Sequence, residues 1–282
     1  MSNLRECIAV ARRGLAAAGI ASPGREAALL LGSILGLSEV QIRAQDDQPV
    51  AATDAARFAA LVARRAAGEP SAYLLGRREF FGRAFGVDER VLIPRPETEL
   101  LVEIALAAQL PAAARVLDIG TGSGCIALTL AAERPHFRVL ATDLSLGALA
   151  CALANAAHLG LAHRVAFVAA DLAGPIALST VDMVVSNPPY VDPQEEALVA
   201  LDVRTHEPHL ALFAAQRGLA TVTRLFDLAK GLHRDALLAC EIGYGQLDAV
   251  LVLARERPWL ELVEVRSDLA GIARDVVFRR AS

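Results

Sequence analysis

The sequence from residue 115 onward alternates short apolar runs with longer segments that have the apolar spacing of helices. The predicted strands cover 115–119, 138–142, 165–170, 181–186 and 236–242. The predicted helices cover 123–132, 146–159, 219–232 and 246–255. Strands and helices that alternate in this way predict an α/β domain, in which a parallel sheet carries helices on both faces.

Two further apolar runs close the chain, at 262–265 and 275–279. The loop between them is too short for a crossover helix, so these two strands are expected to pair antiparallel or to flank a common neighbour. The fold class is therefore a Rossmann-like, mostly parallel seven-stranded sheet that ends in an antiparallel C-terminal hairpin.

The first part of the chain has a different pattern. Residues 1–70 show only helical spacing, for example at Leu4 and Ile8, which predicts a small helical domain. Residues 71–95 are rich in aromatic and β-branched side chains separated by glycines, which predicts a β-hairpin linker from Tyr73 onward. The large α/β domain then takes 96–282.

Composition excludes several classes of protein. The chain has 282 residues, a net charge of −4 and only short apolar stretches, which argues against a membrane protein and against one that follows a nucleic-acid backbone. We expect a cytoplasmic monomer. The four cysteines form no Cys-x-x-Cys pair, so no metal site is predicted. They are Cys7, Cys125, Cys151 and Cys240.

A glycine-rich turn follows the first strand of the predicted sheet. Parallel sheets bind small molecules at the carboxyl ends of their strands, where glycines let the backbone pass close to a ligand. Asp143, at the end of the second strand, is placed to accept both hydroxyls of a ribose. Asp118 could hold an ammonium group, and Asp171 is expected near an adenine. The residues of the turn itself are Gly120, Thr121, Gly122, Ser123 and Gly124. This pattern fits NAD and S-adenosylmethionine alike.

The fourth strand stops at Asn187-Pro188-Pro189-Tyr190. The lone pair of a planar NH2 group is delocalised, so such a nitrogen attacks an electrophile only when it is held in position. The Asn187 side-chain carbonyl and the Pro188 backbone carbonyl could each accept one of its N–H groups. The prolines make the segment rigid, and Tyr190 offers a flat face to the planar group.

A methyl donor needs such a motif, whereas a hydride carrier does not. Asn187 therefore favours S-adenosylmethionine over NAD. We expect direct in-line transfer of a methyl group, without a histidine or cysteine nucleophile. The motif does not say whether the NH2 belongs to an adenine or to a carboxamide.

With these motifs in combination, the chain resembles the HemK/PrmC family of protein-(glutamine-N5) methyltransferases. The resemblance extends from about residue 70 to residue 277. The matching segments are Tyr73-Leu74-x-Gly76, Glu79-Phe80, Leu92-Ile93-Pro94-Arg95-Pro96-Glu97-Thr98-Glu99, the glycine turn, Asn187 to Tyr190, Glu207-Pro208, Glu241-x-Gly243 and Asp268-Leu269-Ala270-Gly271-x-x-Arg274. The family often has Trp where this chain has Leu172, so an aliphatic contact to adenine is expected instead.

The resemblance implies a class I S-adenosylmethionine-dependent methyltransferase whose substrate is the glutamine of a Gly-Gly-Gln tripeptide in peptide chain release factors. It implies that Asn187 and the Pro188 carbonyl hold the glutamine amide while Tyr190 packs against it. It also implies that the glycine turn, Asp143 and Asn187 line the cofactor site. The helical domain would bind the release factor.

Three alternatives stay open. An adenine-N6 methyltransferase of DNA or RNA would use the same Asn-Pro-Pro-Tyr motif, although the acidic balance of the chain argues against it. A ribosomal-protein glutamine methyltransferase shares the motif but usually departs from the pattern at Arg95 to Thr98. A non-catalytic S-adenosylmethionine-binding module would have little use for Asn187.

Overall fold

The computed structural model describes residues 3–44 and 46–281, which form two compact units. The first unit runs to Arg77 and includes Leu201–His206, and the second comprises Arg78–Ala200 and the chain from Glu207 onward. The division predicted from the sequence, into 1–70, 71–95 and 96–282, stays a prediction.

The first unit is helical. Its N-terminal part contains α1 (Leu4–Ala17), α2 (Pro23–Leu35), α3 (Glu39–Ala44), α4 (Ala52–Ala66) and α5 (Ser71–Leu75). A capping box starts α1, because Asn3 Oδ1 accepts the Glu6 N–H at 2.9 Å and the Glu6 carboxylate accepts the Asn3 N–H at 3.2 Å. The apolar positions of α1, α2 and α4 meet in a core that includes Leu15, Leu31 and Phe58.

A β-hairpin lies where the sequence predicts one, but it is shorter. Its strands are β1 (Arg77–Phe80) and β2 (Arg83–Gly86). The connecting residues Phe81 and Gly82 both have positive φ, 51° and 71°, as a type I′ turn requires. The prediction is wrong at both ends, because Tyr73 belongs to α5, which ends at a left-handed Gly76, and residues 91–93 form no strand.

The second unit is built on one seven-stranded sheet. Its strands are β3 (Arg115–Ile119), β4 (Arg138–Asp143), β5 (Val165–Ala169), β6 (Met183–Ser186), β7 (Leu237–Glu241), β8 (Leu260–Ser267) and β9 (Ala273–Arg280). They lie in the order β5-β4-β3-β6-β7-β9-β8. The first five strands run parallel, and β9 pairs antiparallel with both β7 and β8, so the predicted fold class is confirmed.

Helices of the second unit cover both faces of this sheet. After the hairpin the chain forms α6 (Glu99–Ala107), α7 (Cys125–Glu133), α8 (Leu146–His158), α9 (Leu201–His206, part of the first unit), α10 (His209–Leu212), α11 (Ala220–Leu228) and α12 (Leu247–Arg255). Successive residues of β3 point to opposite faces: Val116 packs with residues of α6 and α7, whereas Leu117 packs with residues of α11 and α12. Each face of the sheet therefore has its own apolar core.

The register of the sheet brings the site together. Ile119 pairs with Thr142 on one side and with Ser186 on the other, and Ser186 pairs with Cys240. The turns after β3, β4, β6 and β7 consequently meet at one carboxyl edge. Within 3–44 and 46–281, none of the helices has the length and apolar character needed to cross a membrane.

Candidate active site

A cavity of about 400 Å³ opens at the carboxyl edge of the sheet. It brings together most of the residues predicted from the sequence. Those that line it are Gly120, Thr121, Gly122, Ser123, Asp143, Asp171, Leu172, Asn187, Pro188 and Pro189. Asp118, Gly124 and Tyr190 are not among the described residues that line the cavity. Each of them is bonded to a residue that does line it.

The glycines of the turn have two different tasks. Gly120 and Gly122 have φ of +74° and +55°, and a Cβ at either position would meet no protein atom within 4 Å. Their backbone is therefore open to the cavity. Gly124 is different, because a Cβ there would lie 3.0 Å from Leu128 and 3.1 Å from Ala152. Gly124 lets α7 and α8 pack closely, so its contribution to the site is indirect.

Asp118 lies fully buried beneath the turn. Its Oδ2 accepts the Thr121 hydroxyl at 2.6 Å and the Ala127 N–H at 3.2 Å, while Oδ1 has no hydrogen-bond partner among the described residues. Burial raises the pKa of this carboxyl to about 7, although the Thr121 hydrogen bond opposes the shift. A buried acceptor without a partner fits the predicted role of holding an ammonium group, directly or through water.

Asp143 lies at the end of β4 and fixes the shape of the turn. Its Oδ2 accepts the Gly122 N–H at 2.9 Å, and its Oδ1 accepts the Ser145 N–H at 2.8 Å. A carboxylate oxygen has two lone pairs, so each oxygen can accept one further hydrogen bond from the cavity. The structure thus leaves this carboxylate able to accept both hydroxyls of a ribose.

Asp171 and Leu172 also line the cavity. Asp171 pairs with Arg224 at 2.8 Å, and both side chains are more than half exposed. Leu172 has a φ of +52°, which is uncommon for a residue with a side chain. Its apolar side chain lines the cavity.

Asn187 is held by a chain of side-chain hydrogen bonds. Its Nδ2 donates to Thr98 Oγ1 at 3.0 Å, and the Thr98 hydroxyl donates to Glu241 Oε2 at 2.6 Å. Thr98 and Glu241 are 2% exposed, so water does not compete for these bonds. Burial raises the pKa of Glu241 to about 7, while its hydrogen bonds to Thr98 and Tyr190 lower it.

Tyr190 is tied to the same carboxylate and to a neighbouring loop. Its hydroxyl donates to Glu241 Oε1 at 3.2 Å, and burial is the largest cause of its raised pKa. Its backbone carbonyl accepts Gln246 Nε2 at 2.9 Å, and Gln246 Oε1 accepts the Gly243 N–H at 2.8 Å. Gly218 lies directly against this carbonyl, because a Cβ there would be 1.9 Å from the Tyr190 oxygen.

Glu207 positions the wall formed by residues 91–95. Its buried carboxylate accepts the Ile93 N–H at 2.9 Å and Arg95 Nη2 at 2.5 Å. Arg95 itself lines the cavity. Glu207 therefore acts through the segment that it holds, whereas Pro208 lines the cavity itself.

Sequence reasoning missed the roles of several residues. Thr98, Glu207, Glu241 and Gln246 were noted only within motifs or helices, although they hold the acceptor side of the cavity. Asn155 was also missed: its Nδ2 donates to the Ser123 and Gly86 carbonyls at 2.8 and 3.0 Å, which ties the hairpin to the glycine turn. The only available signal was a polar side chain within an otherwise apolar pattern, as at Asn155 in α8.

The mostly parallel sheet with its antiparallel β9, the glycine turn, Asp143 at the end of β4 and Asn187 directly after β6 together define a class I S-adenosylmethionine-dependent methyltransferase. Comparisons with known proteins agree. The family described as "Methyltransferase small domain" matches residues 96–207, and the one described as "PrmC N-terminal domain" matches residues 6–76.

Solved structures share this fold. The hMettl16 catalytic domain, solved in complex with MAT2A 3′UTR hairpin 1, has a TM-score of 0.57 and is 19% identical, with 92% of both chains covered. A methyltransferase from Pyrococcus furiosus has a TM-score of 0.54 and is 14% identical, covering 72% of this chain and 91% of its own. At these identities the likeness shows the fold alone.

Curated relatives are much more similar in sequence. The release factor glutamine methyltransferase of Nitratidesulfovibrio vulgaris is 40% identical over 282 residues, covering 99% of this chain and 96% of its own. The protein of the same name from Bordetella pertussis is 45% identical over 255 residues, covering 89% and 93%. This chain belongs to the family of release factor glutamine methyltransferases.

Proposed function

We propose that this protein transfers a methyl group from S-adenosylmethionine to the side-chain amide nitrogen, N5, of the glutamine in the Gly-Gly-Gln motif of peptide chain release factors. The observation that carries the proposal is the position of Asn187. It lines the same cavity as the glycine turn and Asp143, in a chain that is 40–45% identical to release factor glutamine methyltransferases.

The residues on one side of the cavity suit the cofactor. The open backbone of Gly120 and Gly122 and the free lone pairs of Asp143 would hold its ribose, and the unpartnered Oδ1 of Asp118 would hold its ammonium end. Leu172 would pack on the adenine, with Asp171 nearby. When bound, S-adenosylmethionine supplies a sulfonium methyl group, so transfer breaks a carbon–sulfur bond, forms a carbon–nitrogen bond and releases S-adenosylhomocysteine and a proton.

The residues on the other side suit the amide. The Nδ2 of Asn187 is bonded to Thr98, so its Oδ1 is the atom left to accept an N–H from the substrate. The Pro188 carbonyl would accept the second N–H, and Pro189 and Tyr190 would limit the movement of the bound group. These acceptors face the positive charge that the nitrogen gains during attack, before the proton leaves to water.

The finer aspects of the function follow from the proposed substrate. We expect the first unit to contact the release factor. Because release factors act on the ribosome, we also expect a cytoplasmic location. The expectation of a monomer is kept from the sequence. Direct binding of nucleic acid is not part of the proposed reaction.

The proposal is tested by mass spectrometry of a release factor before and after incubation with this protein and S-adenosylmethionine. We expect a gain of one methyl group, mapped to the Gly-Gly-Gln glutamine. A release factor in which this glutamine is replaced by glutamate should gain none. An unmodified wild-type release factor would contradict the proposal.

Parallel reactions test the other classes of substrate that the Asn-Pro-Pro-Tyr motif allows. The same incubation is made with adenine-containing DNA and RNA oligonucleotides and with ribosomal proteins. We expect methylation of none of them at a rate comparable with the release factor. Faster methylation of an oligonucleotide would favour an adenine-N6 methyltransferase, and cofactor binding without any transfer would favour a binding module.

A further inference from the structure

The buried side chains behind Asn187 form a short hydrogen-bonded chain. Glu241 lies at the end of β7, and Ser186 at the end of β6 pairs with Cys240, so the sheet register brings Glu241 beside Asn187. Thr98, which directly precedes α6, lies between them and bonds to both. The three residues are separated by 89 and 143 positions in the sequence.

The direction of these bonds follows from a count of donors. A threonine hydroxyl has one hydrogen, and when Glu241 is ionised its carboxylate can only accept, so that hydrogen is donated to Oε2 at 2.6 Å. Thr98 Oγ1 can then only accept from its other neighbour, so the Asn187 group that faces it must be the NH2. An Asn187 turned by 180° would place two acceptors against each other.

We infer that Glu241 and Thr98 are positioning residues that set the orientation of the Asn187 amide, so that its Oδ1 and not its Nδ2 faces the substrate nitrogen. This inference rests on the proposed function and assigns a role to Thr98, which lines the cavity, and to Glu241, which lies behind Thr98 and is not among the described lining residues. With Nδ2 toward the cavity, Asn187 would present a donor to the NH2 of the substrate, and no hydrogen bond would form.

Glu241 also extends the effect to Tyr190. Its two oxygens are divided between the two hydroxyls: Oε2 accepts from Thr98 and Oε1 accepts from Tyr190. One carboxylate therefore fixes both ends of the Asn187–Tyr190 segment. An ordinary structural role for Thr98 as a helix cap is excluded by the geometry, because its side chain makes no capping hydrogen bond to α6.

The test is a set of threonine variants measured with a release factor as substrate. Thr98→Val keeps the shape of the side chain but removes the hydroxyl, and we expect kcat/KM to fall roughly 10-fold because Nδ2 loses its acceptor. Thr98→Ser keeps the hydroxyl and should stay within about threefold of wild type. In both variants the affinity for S-adenosylhomocysteine should be unchanged.

Thr129→Val is the matched control. Thr129 is also fully buried in the second unit, but its hydroxyl has no hydrogen-bond partner among the described residues. It lies in α7 and does not line the cavity. We expect this variant to keep wild-type activity, and a loss equal to that of Thr98→Val would show that both act only through packing.

A double-mutant cycle separates an effect through Asn187 from a general effect. In an Asn187→Ala background, Thr98→Val should cause no further loss, because the group that Thr98 orients is gone. If the loss of kcat/KM in the double variant were the product of the losses in the two single variants, the inference would be overturned. It would also be overturned by a Thr98→Val variant with wild-type kcat/KM, or by a Thr98→Ser variant as impaired as Thr98→Val.

A second readout needs no substrate. In the NMR spectrum of the free protein, the side-chain NH2 signals of Asn187 are identified by their absence in Asn187→Ala. We expect Thr98→Val to shift them and to increase their exchange with water, whereas Thr129→Val should leave them in place. Unchanged signals in Thr98→Val would overturn the inference, and this result does not depend on which protein is methylated.

Discussion

The two sides of the cavity are built in different ways. The cofactor side is assembled from residues close together in the sequence: Thr121 bonds to Asp118 across 3 positions and Gly122 to Asp143 across 21. The acceptor side is assembled from distant residues, since Thr98 bonds to Glu241 across 143 positions. The cofactor side is largely a backbone cradle, whereas the acceptor side depends on buried side chains.

This difference explains how the two sides should respond to substitution. A turn that is shaped by its own glycines and one carboxylate should tolerate changes elsewhere in the chain. A chain of side-chain hydrogen bonds should be sensitive to the loss of any member, because each buried polar group left without a partner costs about 1–3 kcal/mol. The two sides can therefore be separated by substitutions that act on only one of them.

The largest effect is expected for Asn187→Ala. The substitution removes one of two preorganised acceptors, so the rate of methyl transfer should fall by about 10²- to 10³-fold, as for the loss of a single oxyanion-hole donor. Cofactor affinity, measured by titration calorimetry with S-adenosylhomocysteine, should fall much less. Near-normal methyl transfer to a release factor would show that Asn187 is not an acceptor for the substrate N–H.

The second prediction concerns the cofactor side. Asp143→Ala removes the acceptor for the Gly122 and Ser145 N–H groups and the predicted ribose contacts. We expect the Kd for S-adenosylhomocysteine to rise by about 10- to 100-fold, since hydrogen bonds to charged groups contribute about 1.5–3 kcal/mol. If Asp143→Ala instead lowers the rate at saturating cofactor and leaves the Kd unchanged, then Asp143 does not act on the cofactor side alone.

The third prediction tests whether the acceptor side depends on remote backbone. A Cβ at Gly218 would lie 1.9 Å from the Tyr190 carbonyl oxygen and 2.6 Å from Gln246 Nε2, at a φ of +78°. Gly218→Ala must therefore displace the backbone at Tyr190. We expect a loss of several kcal/mol in the free energy of unfolding, together with reduced transfer.

Gly245→Ala is the control for Gly218→Ala. Gly245 has a similar φ of +74°, but a Cβ there would meet no atom within 4 Å. The cost should be limited to the backbone strain, about 1–2 kcal/mol in a thermal or urea unfolding experiment. Equal destabilisation by the two variants would mean that the contact with Tyr190 contributes nothing.

The smallest effect concerns pH. Asp275 pairs with Glu241 in the register of β9 and β7, is fully buried, and has no hydrogen-bond partner for either oxygen among the described residues. Burial, with a smaller contribution from the Glu241 charge, raises the pKa of Asp275 to about 8. Burial raises the pKa of Glu241 to about 7.

The sign of the pH effect follows from these values. In the unfolded chain both groups release their protons near pH 4. Between that pH and their raised pKa values, the folded protein holds protons that the unfolded chain has lost. The free energy of unfolding should therefore fall as pH rises from about 5 to 8.

Asp275→Asn measures the share of this effect that comes from Asp275. The variant should melt a few degrees higher than wild type at pH 8, and the difference should shrink toward pH 5. A difference that does not change with pH would show that ionisation of Asp275 is not the cause.

The same contrast decides how much of the molecule could be predicted from the sequence. The five parallel strands and the glycine turn were predictable, because apolar periodicity and glycine spacing are local signals. Asp143 was predictable as the residue that ends a strand at the ligand-binding edge. The predicted hairpin is too long, because Tyr73 and residues 91–93 have strand-like composition. Tyr73 lies in the short helix α5, and residues 91–93 belong to a segment that Glu207 holds.

The support of the acceptor side could not be predicted in the same way. Asn187 could be predicted, because the four consecutive residues Asn-Pro-Pro-Tyr are enough to explain how a planar NH2 group is held. Thr98 and Glu241 have no such local signal, since a threonine before a helix and a glutamate at a strand end are ordinary. Their roles appear only when the sheet brings β6 and β7 together.

The two sides of the cavity have separate tasks: one binds the cofactor, and the other presents an acceptor to the substrate amide. The decisive experiment is single-turnover methyl transfer to a release factor at saturating S-adenosylmethionine, measured for Asn187→Ala and Asp143→Ala side by side. We predict that the Asn187→Ala rate stays about 10²- to 10³-fold below wild type, while the Asp143→Ala rate approaches wild type as the cofactor site is filled. Equal rate losses in the two variants at saturation would show that the two sides do not have separate tasks.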